Sequence, residues 1–553
     1  MKKSFKIIGL VTAMLLSGQF YAQNLDIYKN IEFKMPQVAE TSFPANTVSI
    51  KDFGGVAGGK VKNTEAFKKA IDALVKKGGG KLVVPRGMWL TGPIELKSNI
   101  NLHVDEGAFL VFSKDKNDYP LVDVSFEGLE TIRCTSPINA KNAKNIAITG
   151  KGVIDGSGDA WRAVKKSKLA EGEWKKFVSS GGVLSADGKT WFPSESYKKG
   201  FESSSNFNVP DKISKSDLES VKDFLRPVMV SLVGCDQVLL DGPTFQNSPA
   251  WNIHPLMCSN VILRNLTVRN PWYSQNGDGV DLESCKNVLI YDNTFDVGDD
   301  AICIKSGKDE DGRKRNMPTE NVIIKNNVVY HGHGGFVIGS EMSGGARNIH
   351  VSDCTFIGTD IGLRFKTTRG RGGVVENIYI KNIDMIDIPT QTIGFNMFYE
   401  GASPVLEDGQ KEEKNKAPEK VFPVTEETPV FRNIYFKNIN AVNSYEALSI
   451  NGLAEMNIKN IVIEDSQFDT KKALTIVDAD GISLKNVRLN YTEGTGVVIY
   501  NSKNIDLSTL QLTSAQKPTI KVLGSKTSAV KLPKNVTGEQ LQISKEIAKN
   551  AVR

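Results

Sequence analysis

Four short segments near the middle of the 553-residue chain concentrate side chains that can move protons and bind anions. They are Asn276-Gly277-Asp278, Gly298-Asp299-Asp300, Gly332-His333-Gly334 and Arg364-Phe365-Lys366. Three carboxylates brought together cannot all ionise cheaply, so at least one should keep its proton near neutral pH. A protonated carboxyl beside an ionised one is what hydrolysis of a glycosidic bond needs: the first protonates the leaving oxygen, and the second draws a proton from water. The fork of Arg364 and the point charge of Lys366 suit a ligand carboxylate. His333, between two glycines that permit close approach, has the chemistry to tune the acids or touch the ligand. Taken singly, each segment is an ordinary turn or a solvated strand. The chemistry exists only if the fold brings them together.

The repeat pattern supplies such a fold. A unit of Asn followed by alternating β-branched or apolar residues begins at Asn145, Asn260, Asn287, Asn321, Asn348, Asn377, Asn433, Asn460 and Asn504. Successive starts differ by 27 (260 to 287), 34 (287 to 321), 27 (321 to 348) and 29 (348 to 377). Periods of this size mean stacked repeats, and short alternating runs identify strands rather than helices. Asn, Asp and Gly at the corners provide turn and left-handed conformations. The class expected is an all-β, right-handed parallel β-helix. Asp278 and Asp299, 21 apart (278 to 299), then fall one coil from each other. His333 and Arg364 follow at roughly one coil each, so five ionisable positions should line one groove.

Both ends depart from the repeat, as the caps of a solenoid do. Asn63 reads as a helix start, and Ala66, Phe67, Ala70, Ile71, Leu74 and Val75 recur at helical spacing up to Gly78-Gly79-Gly80. This helix should cover the first coil, while residues 537–552 read as a short helix or a frayed tail. Insertions at 158–225, 308–319 and 403–428 read as loops that shape a cleft. Residues 1–22 carry Lys2, Lys3 and Lys6 before an apolar run from Ile7 to Leu16, which is the pattern of a cleaved signal peptide. One domain over 23–553, exported to the periplasm or the medium, is expected. Net charge is +6, from 69 basic and 63 acidic residues, a mild excess that suits a polyanion. No basic run interleaved with aromatics indicates nucleic acid, and no later apolar run is long enough for a membrane anchor. The six Cys lack metal-ligand spacing and read as small buried hydrophobes, with disulfide pairing as the alternative.

The four segments, in this order, resemble the signature of the polygalacturonases, family 28 of the glycoside hydrolases: Asn-Thr-Asp, (Gly/Gln)-Asp-Asp, Gly-His-Gly and Arg-Ile-Lys. The similarity extends to Asp52-Phe53-Gly54-Gly55, Arg226-Pro227, Trp251-Asn252-Ile253-His254-Pro255 and Gly339-Ser340-Glu341. Gly277 stands where the family has Thr, and Phe365 where it has Ile, a change expected to reshape the pocket beside Arg364 and Lys366. The resemblance implies hydrolysis of α-linked galacturonate in pectin, with inversion and with no metal or other cofactor. It implies Asp299 as general acid, Asp278 and Asp300 on the attacking water, and His333 in support. Arg364, Lys366, Asn276 and, on a looser motif, Tyr399 are implied to bind substrate. Asp281, Glu283, Asn252 and His254 are further candidates for the groove, with a structural role as the alternative.

The long insertions, and the stretch Gly339-Ser340-Glu341-Met342-Ser343-Gly344-Gly345, favour exo action by a monomeric chain on a pectic polysaccharide or oligogalacturonide. Two other readings remain at this stage. One is a calcium-dependent pectate lyase, in which the three aspartates hold the ion. The other is a carbohydrate-binding β-helix without catalysis.

Overall fold

The computed structural model describes residues 27–204, 208–399 and 421–553, apart from Gln516, Asn535, Thr537 and Lys549. Thirty-seven strands of the described chain join one parallel sheet that winds into a right-handed β-helix, the hand expected for parallel crossovers. One face of each coil stacks Ile253–Leu256, Val280–Glu283, Asp300–Lys305, Gly334–Ile338 and Ile361–Lys366 in that order. A second face stacks Ser259–Arg264, Lys286–Tyr291 and Thr319–Lys325. A third stacks Thr244–Gln246, Thr267–Arg269 and Thr294–Asp296.

The Asn that opens each repeat explains the corners. Asn145, Asn260, Asn287, Asn321, Asn348, Asn377, Asn433, Asn460 and Asn504 all have φ between 52° and 58°. Asn tolerates this left-handed region because its side chain bonds locally, whereas most residues lose roughly 1–2 kcal/mol there. The amides also ladder from coil to coil: Asn287 donates to Asn260, Asn321 to Asn287 and Asn348 to Asn321, at 3.4, 3.3 and 3.2 Å.

A second, interior ladder is fully enclosed. Asn327 donates to the carbonyls of Ile290 and Lys325 and accepts from the backbone and side-chain N–H groups of Asn293, all within 3.1 Å. Asn327→Ala removes all four bonds from a site without solvent. A loss of roughly 2–4 kcal/mol is expected from the groups left unsatisfied, read as a lowered denaturation midpoint.

One apolar core runs from Ile50 to Ala551. Val280, Ile302, Phe336, Leu363 and Ile393 stack inward in register. Phe365 belongs to this core: it is fully buried and lies flat on Phe395, centroids 4.3 Å apart. Its expected influence on the binding pocket is therefore corrected, because the bulk replacing Ile points to the interior. All six Cys are free and buried, which rules out the disulfide alternative among them.

The capping helix spans Thr64–Lys76 and buries Ala66, Phe67, Ala70, Ile71 and Leu74 on the first coil. Asn63 does not cap it by its side chain. That amide instead closes the preceding loop, accepting from Val56 N–H and donating to the carbonyls of Val56, Val61 and Leu90. At the far end a single 3-10 turn, Gly538–Gln540, leads into the strand Leu541–Ile543 in place of a longer helix. The insertion at 158–225 folds into helices Glu171–Ser179 and Glu195–Glu202, a small antiparallel sheet and a 3-10 segment, Lys215–Phe224. The charged insertion carries the helix Asp309–Arg315. Residues 1–22 and most of the insertion at 403–428 lie outside the described residues. No helix among the described residues is long and apolar enough to cross a membrane.

One element was not anticipated. Leu121–Phe126 and Leu129–Cys134 pair as an antiparallel hairpin projecting from an N-terminal coil. Phe126 stacks on Trp251 at 5.0 Å. At the tip, Gly128 accepts from Lys308 N–H at 3.1 Å, and a Cβ on Gly128 would meet that nitrogen at 2.5 Å. The hairpin therefore crosses the intervening coils to reach residues 180 positions further along.

Candidate active site

The coil bearing Asp300–Lys305 is the centre of the site. Register pairs Asp300 with Gly334, and Cys303 with Val337 and then Arg364, so consecutive coils deliver the sequence motifs to one surface. Asp278, Asp299 and Asp300 each place a carboxylate oxygen within 4.8 Å of the others. Asp278 and Asp300 are buried, while Asp299 is partly open.

Each carboxylate meets different partners. Asp299 accepts from the main-chain N–H groups of Asn276 and Asp300, at 3.2 and 3.0 Å, and lies 3.2 Å from His333 Nδ1. Asp300 accepts from Lys366 Nζ at 2.7 Å and from Arg364 at 3.4 Å. One oxygen of Asp278 has no hydrogen-bond partner.

Their proton affinities diverge accordingly. Burial raises the Asp278 carboxyl well above the ordinary range, and the nearby Asp281 and Asp299 push it further. Burial also acts to raise Asp299, but the hydrogen bond and charge of His333, then Lys366 and Arg364, outweigh it and hold Asp299 low. Asp300 is likewise lowered against burial by Lys366 and Arg364. His333 is raised, first by its bond to Asp299. Without ligand the site thus holds a proton on Asp278 and another on the His333–Asp299 pair.

A layer of charge lies beneath. Lys305 is buried, 2.7 Å from Glu341, 3.6 Å from Asp281 and 4.7 Å from the centre of the Trp251 ring. Burial would raise Glu341, yet Lys305 and Lys366 bring it down to about 2. Asp281 is pushed up by burial, and neither of its oxygens has a hydrogen-bond partner. Glu283 is clamped between His254, at 2.9 Å, and Arg315, at 2.6 Å. Asp281, Glu283, Asn252 and His254 are therefore fully enclosed, and Glu283 and His254 are bonded to each other. Arg315 and Glu127, the latter in the turn of the hairpin, were missed because nothing in their local spacing sets them apart, whereas Lys305 had a signal, as a lysine ending a buried strand just past the Asp-Asp pair.

Tyr399 lies beside the cations, its ring centre 5.0 Å from Lys366 Nζ and 5.7 Å from the Arg364 guanidinium. The Asn276 side chain is turned away into a wall. It accepts from Arg226 at 2.9 Å and from Asn208 at 3.1 Å, and it donates to Glu127 at the hairpin tip at 3.4 Å. Its contribution to the site is the main-chain N–H on Asp299. Gly277 has a steric reason, since a Cβ there would lie 1.9 Å from Ser274 Oγ.

The family profile described as "Glycosyl hydrolases family 28" matches residues 169–411. A crystal structure of a hyperthermoactive exopolygalacturonase from Thermotoga maritima is 33% identical, with a TM-score of 0.67, over 82% of this chain and 93% of that one. This chain belongs to glycosyl hydrolase family 28. A probable polygalacturonase of Vitis vinifera is 29% identical over 79% of this chain and 78% of its own length. An exo-poly-alpha-D-galacturonosidase of Dickeya chrysanthemi is 29% identical, and this family 28 chain spans 58% of its length. As a family 28 member the chain is a glycoside hydrolase, built on the fold described above.

Proposed function

We propose that residues 23–553 form one exported catalytic unit, led by a signal at 1–22, which hydrolyses α-linked galacturonate at chain ends of pectic polysaccharide. The observation that carries the hydrolase reading is the meeting of Asp278, Asp299 and Asp300 beside Arg364 and Lys366. A sugar carboxylate on Arg364 and Lys366 neutralises the cations that hold Asp299 and Asp300 low. The affinity of Asp299 for a proton rises, and His333 Nδ1 supplies one at 3.2 Å. Asp299 passes that proton to the glycosidic oxygen as the C–O bond breaks. Asp300, released from Lys366, takes a proton from the water that attacks the anomeric carbon, and neutral Asp278 holds that water.

Exo action is supported by the hairpin Leu121–Cys134, whose tip residue Glu127 bonds Asn276, the residue that donates its main-chain N–H to Asp299. A wall so close to the catalytic carboxylates is suited to stop a polymer at a chain end. The insertion at 158–225 adds Asn208 to the same wall.

The carboxylate spacing raises one competing course. Oxygens within 4.8 Å of one another are nearer to the about 5–5.5 Å of retaining enzymes than to the roughly 6.5–9.5 Å of inverting ones. A retaining course needs a free ionised nucleophile, however. Asp278 holds its proton, and Asp300 is freed only when a sugar carboxylate takes Lys366 and Arg364; it then acts as base in the inverting course that the family resemblance implies, and the anomer released first tests that course. The calcium-lyase reading meets a similar obstacle, because Lys366, Arg364 and His333 already occupy positions beside these acids.

The deciding experiment incubates the protein with polygalacturonate and follows products by chromatography and proton NMR. Saturated small galacturonides, the β-anomer first and with no effect of chelator, are expected. Long oligomers first would remove the exo assignment, α-anomer first would establish retention, and chelator-sensitive unsaturated products would establish a lyase.

The proton on the His333–Asp299 pair also sets a pH dependence. His333 is raised, so its proton is present below the ordinary value of about 6.5 and is lost only as pH climbs past the higher folded value. The alkaline limb of the rate profile should lie above about 6.5 and move to lower pH in His333→Gln. An unmoved limb would remove His333 from proton supply.

A further inference from the structure

A cavity of about 620 Å³ opens on the third face of the coil, and it shares no lining residue with the catalytic cluster. Its size is within the range of ligand sites. Gln246, Arg269 and Asp296 form its floor, stacked in register on consecutive coils, with the segment Asn270–Trp272 above.

Two features of this cavity lack an explanation in packing. Trp272 leaves half of its surface exposed. It is nevertheless propped, since Tyr273 stands perpendicular to it at 5.9 Å and rests in turn on Phe177 at 5.8 Å. A large aromatic held rigidly in solvent is a preformed contact surface, because little side-chain entropy is lost when it binds. The second feature is Arg269, which is exposed and, among the described residues, has no carboxylate bonded to its guanidinium. Asp296, the anion nearest in register, is engaged by His331 at 2.9 Å. The cavity therefore combines a flat aromatic face with one uncompensated cation.

That pair matches a uronic acid more closely than a neutral sugar. The C–H face of the pyranose ring packs on the indole, and its carboxylate pairs with the guanidinium fork. We propose that Trp272 and Arg269 form an accessory site for galacturonate units of the polymer, separate from the catalytic groove. This rests on the galacturonan reading above. Its effect is to hold polymer on the enzyme and so raise the local concentration of chain ends. The chain itself links the two places: Trp272 lies six residues before Asp278, and His331 two before His333. Catalysis on a ligand too short to bridge them should not depend on the accessory site.

The test compares the wild-type chain with Arg269→Ala/Trp272→Ala and, separately, with Asp299→Asn. Electrophoresis is run through gels with and without polygalacturonate, and turnover is measured on polymer and on digalacturonate. Wild type and Asp299→Asn should both be retarded by the polymer, while the double variant loses most of its retardation. Its KM for the polymer should rise about three- to tenfold, the size expected for loss of about 0.7–1.4 kcal/mol of binding. Its turnover of digalacturonate should stay within about twofold of wild type.

Retardation of the double variant equal to that of wild type overturns the proposal, as does a wild-type chain that is never retarded. A fall in digalacturonate turnover matching that on polymer also overturns it, since the residues would then act through the catalytic groove. Wild-type turnover of neither substrate would instead defeat the galacturonan hydrolase reading. In that case, loss of retardation in the double variant would still stand for the binding site.

Discussion

Asp299→Asn should lower kcat on galacturonan by about 10²–10⁴, the usual contribution of a general acid, with a modest fall in the thermal midpoint. The substitution keeps size and shape, but the N–H groups of Asn276 and Asp300 bond different oxygens of Asp299, so the amide oxygen keeps one of these bonds and the amide nitrogen faces the other donor, a loss of about 1–3 kcal/mol. What disappears is the group that carries the proton to the leaving oxygen. The charge that holds His333 protonated disappears with it, so the His333 titration should fall back toward the ordinary histidine value. NMR of the imidazole gives a readout independent of rate. A rate within tenfold of wild type, with His333 shifted as expected, would take Asp299 out of the acid role. Asp278, which holds its own proton in the empty site, would then be the alternative donor. A non-catalytic β-helix would bind the polymer unchanged in both forms.

The second large effect falls on stability. Lys305 neutralises buried anions below the groove, with Glu341 at 2.7 Å and Asp281 at 3.6 Å. Taking one partner from a buried charge network leaves the others uncompensated, which costs about 3–5 kcal/mol. Lys305→Met keeps a long unbranched side chain but removes the ammonium, together with its contact over the Trp251 ring, so a drop of that size in unfolding free energy is expected from denaturant melts. Lys305→Met/Glu341→Gln removes an anion together with the cation and should recover part of the loss, because the two substitutions share an interaction. A double variant no more stable than the single would show that the cost arises from packing. The single variant should also titrate differently in the groove, since Lys305 is the cation that restrains the rise of Asp278.

Much of this molecule is written in local pattern. The Asn at each repeat start requires nothing beyond its own neighbours to favour the left-handed corner, and all nine adopt it. Alternating apolar residues make short strands that each cover one face of a coil, and the spacing of the four motifs then brings Asp278, Asp299, Asp300, His333, Arg364 and Lys366 to one surface. The capping helix is equally local, read from its apolar face and its glycine stop.

What tertiary structure alone decided involves contacts with no periodic trace. The hairpin tip at Glu127 meets residues near 308, and the cost of closing so long a loop grows only with the logarithm of its length. Spacing therefore says nothing of where such a tip lands, and the wall of the groove was not legible. Phe365 turned inward with the core side of its strand, whereas His254, next to the core residue Ile253, was enclosed by Trp251 and Glu283 from outside the core. Sequence required that three crowded aspartates share fewer than three charges. Asp278 became the neutral one because it is buried with no cation bonded to it and faces Asp281, while His333, Lys366 and Arg364 stand against the other two. Periodicity sets which residues meet, whereas proton affinity follows distance and burial, quantities that exist only once the coils have stacked.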